Sequence, residues 1–146
     1  MRENNMSRFD LSKFISAHKR DYETALREIT AGKKQTHWMW YIFPQIEGLG
    51  RSPTAVFYAL RDQEEAKAFL RDEYLGGNLR EISERLLTLS TDDTNQVFGF
   101  PDDLKLRSSM TQFASISEAG SVFHRVLDKY FGGIPDPNTL DLLSTH

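Results

Sequence analysis

The first long segment of the chain has the pattern that most limits the fold: one side of it is apolar at intervals of three or four residues. The positions on that side are Leu11, Phe14, Ile15, His18, Tyr22, Leu26 and Ile29. This period is that of an α-helix with one buried face. Asp10 is a good helix cap, and Gly32 is a favoured residue just past a helix end. A helix of this kind needs other elements to cover its apolar face.

The rest of the chain predicts further helices and no sheet. Helical segments are expected at 36–43, 52–60, 62–75, 79–89, 91–98, 101–113 and 117–131, with a final turn at 140–143. The start signals are Ser52-Pro53, Asp62, Pro101 and Ser117, and Gly76-Gly77 is expected to break the chain. Alternating apolar and polar residues, which would indicate strands, are absent. The sequence therefore predicts an all-α fold: a single multihelical domain of six to eight helices over 1–146, with an ordered core at about 9–143 and a loose terminus at 1–8.

Composition argues against several classes of protein. The 146 residues contain 18 Lys and Arg against 21 Asp and Glu, and this net charge of −3 argues against a nucleic-acid partner, which needs a basic face. There is no cysteine, which excludes disulfides and thiolate ligands. The N-terminal residues lack the apolar core of a signal peptide, and no run approaches the roughly 20 apolar residues of a membrane span. We therefore expect a cytoplasmic protein.

The familiar motifs for cofactors and metals are missing. The sequence contains no Gly-rich phosphate loop, no His-Glu-x-x-His and no Gly-x-Ser-x-Gly. His124 and Asp128 are four residues apart on a predicted helix, which would suit two metal ligands. No third ligand can be assigned, and a solvent-exposed His–Asp pair explains them better. We expect no cofactor and no metal.

The segment Lys33–Gln45 contains both tryptophans, a histidine and a lysine pair. On a helix, Lys33, His37 and Trp40 would lie along one side. Lysine can bind a phosphate or carboxylate, histidine can exchange a proton near neutral pH, and aromatic faces can stack on a planar ligand or a cation. The alternative is a core helix with two large packing residues and internally satisfied polar groups. The residue types alone favour this second interpretation.

The segment Phe98–Thr111 is the second unusual part of the sequence. It contains Asp102, Asp103, Lys105, Ser108, Ser109 and Thr111. A helix beginning at Pro101 would offer free N–H groups to an anion, although its two aspartates argue against a bare anion. Hydroxyl groups inside a helix often only return hydrogen bonds to its backbone, which is the simpler explanation of this cluster.

Together these segments resemble the signature of the domain-of-unknown-function 1810 family. The residues that carry the resemblance are Lys33–Gln45, Gly48-Leu49-Gly50, Ser52, Phe98–Asp102 and Lys105–Thr111. The similarity covers about 9–143, and Thr36 stands where serine is expected, which keeps the hydroxyl group. The resemblance implies a multihelical fold in small bacterial proteins and no particular activity; the label "calpastatin" given to some members has no support in these residues. Polar and aromatic signature residues tend to mark binding or catalysis, which gives the functional interpretation equal weight with packing.

Three functions are open from the sequence. The first is a site for an anionic or aromatic small molecule, such as a nucleotide-type ligand, built on the 33–45 and 98–111 segments, with or without catalysis. The second is a module that binds a protein or peptide through an aromatic patch. The third is weak binding of single-stranded nucleic acid.

The first hypothesis gives each candidate residue a role. His37 would transfer protons as a catalytic residue, and Asp102 would orient it. The ligand-binding residues would be Lys34, Trp38, Trp40, Gln45, Lys105, Ser108 and Ser109. The lysines would bind an anionic group and the tryptophans would stack on a ring. We expect the two segments to converge on one concave site.

Overall fold

Nine helices form within residues 9–145, the part of the chain that this computed structural model describes. They are α1 Ser12–Thr30, α2 Met39–Ile42, α3 Pro53–Tyr58, α4 Gln63–Arg71, α5 Glu73–Leu87, α6 Thr94–Phe98, α7 Asp102–Ser115, α8 Val122–Phe131 and α9 Pro137–Thr145. The all-α class is confirmed, and an isolated bridge between Ile46 and Leu60 is the extent of β pairing in these residues. Six of these helices have seven or more residues, which agrees with the predicted six to eight, and the expected final turn is the nine-residue helix α9. The predicted loose terminus, 1–8, lies outside the described residues.

Helix α5 is the central element of the core. It packs against α1, α4 and α8, while α7 packs against α8 and α9, and α2 lies against α1. A row of phenylalanine rings crosses the interior: Phe14, Phe69, Phe113 and Phe123 follow one another with ring centroids 5.2, 5.7 and 5.7 Å apart. These fully or almost fully buried rings connect α1, α4, α7 and α8. Each such side chain contributes about 1.5–3 kcal/mol by its removal from water.

The glycine pair Gly76-Gly77 lies inside α5 and does not break the chain as predicted. The Asp72 side chain accepts a hydrogen bond from the Leu75 N–H at 2.9 Å, so the helix begins before the glycines. A Cβ atom at Gly76 would lie 2.0 Å from the Leu70 carbonyl oxygen. Gly76 is therefore needed where the end of α4 meets α5, and its cost in helix propensity is offset by that close approach.

Helix α8 begins four residues later than predicted, counted from its cap. Ser121, and not Ser117, is its cap: the Ser121 hydroxyl accepts a hydrogen bond from the His124 N–H. Ser117 instead donates its hydroxyl to the Phe113 carbonyl at the end of α7, 2.8 Å away. Both serines satisfy the sequence rule for a cap, and the turn at Gly120, with φ 82°, decides between them.

His18 connects three helices in the core. Its Nε2 lies 2.8 Å from the Tyr41 carbonyl oxygen and its Nδ1 lies 3.1 Å from the Asn78 amide nitrogen, which places the proton on Nε2. The side chain is buried, and burial lowers the pKa of His18 to about 4 despite the carbonyl contact. The neutral ring is thus part of the packing between α1, α2 and α5.

No helix within 9–145 is long and apolar enough to cross a membrane.

Candidate functional site

The Glu28 side chain, in the last turns of α1, fixes the path of residues 33–38. Its carboxylate accepts hydrogen bonds from the Gln35 N–H (2.7 Å), the Thr36 N–H and hydroxyl (3.0 and 2.8 Å) and the Trp38 indole N–H (2.9 Å). Burial alone would raise the pKa of Glu28, but these four donors outweigh it and hold the pKa below its usual range. Residues 35–38 are therefore held against α1 by one carboxylate.

The predicted helix at 36–43 is wrong in extent, because only Met39–Ile42 is helical. The expected alignment of Lys33, His37 and Trp40 along one helix side does not occur. Trp38 is 1% exposed, and its ring contacts those of Phe43 and Phe98 at centroid distances of 6.2 and 6.3 Å. The structure thus places Trp38 in the core and gives a ligand no free face of it.

Asp102, the first residue of α7, joins the two signature segments. Its Oδ2 lies 2.8 Å from the Lys34 Nζ and its Oδ1 lies 3.0 Å from the Lys105 Nζ. Burial would raise the pKa of Asp102, but hydrogen bonds and charge from both lysines hold it below its usual range. We call these three side chains the Lys–Asp–Lys bridge.

Both ammonium groups of the bridge also lie over tryptophan rings. The Lys34 Nζ is 5.1 Å from the Trp38 ring centroid, and the Lys105 Nζ is 3.9 Å from that of Trp40. Cation–π contacts of this kind stabilise an ammonium group that has lost part of its hydration. The Lys34 side chain is 8% exposed and that of Lys105 is 21% exposed, so Lys105 is the more accessible of the two cations.

A cleft of about 410 Å³ opens beside the bridge, between the end of α2, the loop that follows it, α7 and the start of α9. We call it the α2–α7 cleft. Its lining consists of Trp40, Gln45, Leu49, Gly50, Pro101, Leu104, Lys105, Arg107, Ser108, Asp136 and Asn138. The lining and the bridge together contain three cations and two carboxylates. The cleft therefore has an excess of one positive charge.

The far wall of the cleft is built by contacts between α7 and the segment that leads into α9. The Arg107 guanidinium donates to the Ile134 and Pro135 carbonyls at 2.9 and 3.0 Å. Asp136 Oδ2 accepts from the Thr139 N–H and hydroxyl at 2.9 and 2.6 Å and lies 3.3 Å from the Ser108 hydroxyl. These two charged side chains are engaged in holding α9 in place. Lys105 is the cation left to meet a ligand.

The predicted site residues fall into four groups. Trp40, Gln45, Lys105 and Ser108 line the cleft, and Lys34 and Asp102 form the bridge behind it. Trp38 and Ser109 are buried in the core. His37 is exposed and is not part of the cleft lining.

The expected pairing of His37 with Asp102 is not formed. Both carboxylate oxygens of Asp102 are bound to lysines, and within residues 9–145 no hydrogen bond joins it to His37. The His37 carbonyl accepts a hydrogen bond from the Tyr41 hydroxyl at 3.1 Å. The backbone of His37 is thus fixed while its ring faces solvent.

Sequence reasoning missed Glu28 and the contribution of α9. The sequence around Glu28 is typical of a solvent-exposed helix position, and it does not indicate that residues 33–38 pack against this side chain. The role of Asp136 could have been predicted. Asp136-Pro137 has the same cap-and-proline pattern as Ser52-Pro53, which did predict a helix start. That signal would have placed a helix, and its capping carboxylate, after Gly133.

The fold and the site together define a small all-α protein with a polar cleft of net positive charge between α2 and α7. The model of the family described as "Protein of unknown function (DUF1810)" matches residues 8–143, so the chain belongs to this family, as the signature segments predicted. The chain is similar to the conserved hypothetical protein Rv1873 from Mycobacterium tuberculosis, a solved structure, at 43% identity and a TM-score of 0.90 over 93% of this chain and 97% of that one. No curated protein matches it.

Proposed function

We propose that the α2–α7 cleft binds a small molecule that carries an anionic group. The observation that carries the proposal is the position of Lys105, whose ammonium lies over Trp40 at the cleft wall and shares the single carboxylate of Asp102 with Lys34. Two lysines that compete for one carboxylate leave one charge uncompensated. An anionic ligand group would compensate it at a place that is already partly removed from water.

The other lining residues define the rest of the ligand. Leu49, Pro101 and Leu104 supply apolar wall, and the side-chain amides of Gln45 and Asn138 can donate and accept hydrogen bonds. This composition suits a carboxylate- or phosphate-bearing molecule with an apolar or planar part, a class that includes nucleotide-type ligands. The excess of one positive charge favours ligands of low negative charge over polyanions.

Binding without acid–base catalysis is the form of this function that the geometry supports best. Asp102 holds its proton less readily than an ordinary aspartate, because two lysines stabilise its charged form. His37 is exposed and outside the cleft, so its role as a proton carrier stays a prediction. The cytoplasmic location expected from the sequence also stays a prediction.

A peptide with an apolar side chain is the second candidate ligand. It is favoured by Phe100, which is 75% exposed, and Leu104, which is 49% exposed and forms part of the cleft wall. Exposed apolar side chains at the edge of a cleft are typical of peptide-binding surfaces. The aromatic patch first expected from the 33–45 segment gives less support, since Trp38, Tyr41 and Phe43 are buried.

The test is a thermal-shift screen followed by calorimetric titration, with carboxylates and phosphates compared with their neutral amides and alcohols. We expect anionic compounds to bind and their neutral analogues to bind at least about tenfold more weakly, because the neutral analogues lose one charge-assisted hydrogen bond. Lys105→Gln should cause a similar loss. Lys129→Gln is the matched control, because Lys129 also lies beside an aromatic ring, that of Tyr130, away from the cleft.

Three results would contradict the proposal. One is equal binding of charged and neutral compounds, and another is an equal effect of the two lysine substitutions. The third is binding of apolar peptides that depends on Phe100 and is unchanged in Lys105→Gln, which would assign the cleft to the second candidate.

A further inference from the structure

A second concave surface lies between α4, α5 and the residue that follows α7. It has a volume of about 180 Å³ and is lined by Lys67, Leu70, Arg71, Arg80 and Ile116. We call it the α4–α5 basic pocket. It shares no lining residue with the α2–α7 cleft. Its polar wall consists of three cations, and its apolar wall consists of the leucine and the isoleucine.

The charges of this pocket are poorly compensated. Within residues 9–145, the side chains of Arg71 and Arg80 form no ion pair and no hydrogen bond. Lys67 pairs with Glu64 at 3.3 Å, in an exposed pair of the kind that contributes little. Asp72, the carboxylate next in sequence to Arg71, is used to cap α5 at the Leu75 N–H. Three like charges around one small concavity raise its positive potential and attract an anion.

Gly76 allows the Arg80 side chain to turn toward this pocket. A Cβ atom at Gly76 would lie 3.0 Å from Arg80 Nη1, closer than carbon normally approaches, as well as 2.0 Å from the Leu70 carbonyl oxygen. The guanidinium therefore lies over a helix position that has no side chain. Arg71 belongs to the last turn of α4, where the helix dipole is negative, but three full charges outweigh a partial charge of about one half.

We propose that the α4–α5 basic pocket binds a phosphate-type anion, either inorganic phosphate or the phosphate group of a small phosphomonoester. Arg71 and Arg80 would each donate parallel N–H groups to the phosphate oxygens, and Lys67 would add a point charge. Leu70 and Ile116 would contact the organic part of an ester. The site is separate from the α2–α7 cleft, because the two share no lining residue and no helix.

The experiment is an NMR titration of the whole ¹⁵N-labelled chain with inorganic phosphate and, separately, with phenyl phosphate, with sodium chloride at matched ionic strength as the blank. We expect saturable shifts of the backbone amide signals of 67–80 and 116. Tighter binding of phenyl phosphate would assign the ester as the ligand, and equal binding would assign the free anion; both results support the site.

Two substitutions test the role of the arginines, and two serve as controls. Arg80→Gln and Arg71→Gln should each raise the phosphate Kd by about tenfold, since each removes a charged hydrogen-bond donor. Arg20→Gln removes the same charge from an exposed position on α1, and Lys33→Gln removes a lysine charge from an exposed position after α1; both should leave the Kd unchanged. Shifts that chloride reproduces, or equal Kd values in all four variants, would overturn the proposal.

Discussion

Neighbouring residues of the signature segment have opposite environments. Trp38 is buried with its indole N–H bound to Glu28, His37 beside it faces solvent, and Trp40 lies half exposed at the cleft wall under Lys105. The sequence left a choice between packing and function for the whole segment. The structure divides the segment residue by residue, because one carboxylate on α1 sets which side chains turn inward. Residue composition cannot show that division.

Substitution of His37 by glutamine tests the catalytic role that was predicted for this residue. The His37 ring is exposed and makes no hydrogen bond within residues 9–145, so we expect the free energy of unfolding to change by no more than about 0.5 kcal/mol. We also expect the affinity of the α2–α7 cleft for its anionic ligand to stay the same. Thermal melting and calorimetric titration measure the two quantities. A loss of affinity at unchanged stability would restore His37 as a ligand or proton-transfer group, and a lower melting temperature would make it structural.

At the scale of elements, helix starts were predicted well wherever the signal is local. Ser52 and Asp62 accept hydrogen bonds from the N–H groups of Ala55 and Glu65, as their positions before a helical pattern predicted. The errors at Gly76-Gly77 and at 36–38 have another cause. In both places a contact with a neighbouring helix, at the Leu70 carbonyl of α4 or the Glu28 carboxylate of α1, overrides the local preference, and a single sequence does not show that contact.

The glycine pair gives a matched test of this explanation. A Cβ at Gly76 would meet the Leu70 carbonyl oxygen, whereas a Cβ at Gly77 has nothing within 4 Å. We expect Gly76→Ala to lower the free energy of unfolding by about 1–3 kcal/mol through overpacking. Gly77→Ala should raise it by about 0.5–1 kcal/mol, because alanine loses less chain entropy in a helix. Urea denaturation measures both. Stabilisation of similar size in both variants would show that α4 and α5 do not need the close approach.

For the whole molecule, the sequence predicted the fold class and the two segments that meet at the cleft. It did not predict the wall that α9 supplies, nor the replacement of a His37–Asp102 pair by the Lys–Asp–Lys bridge. Fold class follows from periodicity, which each helix shows by itself. A site depends on which ends of separate helices meet, and the charge pairing that results is a property of the assembled core.

The stability of the whole molecule should depend on pH through His18. Its pKa is near 6.5 in an unfolded chain and about 4 in the fold, so below pH 6.5 the unfolded state binds a proton that the folded state does not. The contribution of His18 to the free energy of unfolding is therefore fully present above pH 6.5. It is lost as the pH decreases toward 4, by about 3 kcal/mol in total. Urea denaturation at pH 7, 5.5 and 4.5 measures the change.

The variant His18→Gln separates the pH dependence caused by His18 from the pH dependence caused by carboxylates such as Glu28 and Asp102. His18→Gln should be less stable at pH 7, because it alters a buried hydrogen-bonded ring, and should lose less stability than the wild type between pH 6.5 and 4.5. If the free energy of unfolding changed equally with pH in the wild type and in His18→Gln, His18 would bind its proton equally in the folded and unfolded states between pH 6.5 and 4.5.

The unequal environments of the two tryptophans have a spectroscopic consequence. Trp38 is removed from solvent, so its emission should be at short wavelength and should change mainly when the core opens. Trp40 lies 3.9 Å from a lysine ammonium at the edge of the cleft, where a bound anion would alter both the local field and access by collisional quenchers. The chain thus contains one intrinsic fluorophore that reports on folding and a second that reports on the cleft, and a single phenylalanine substitution at either position isolates the other signal.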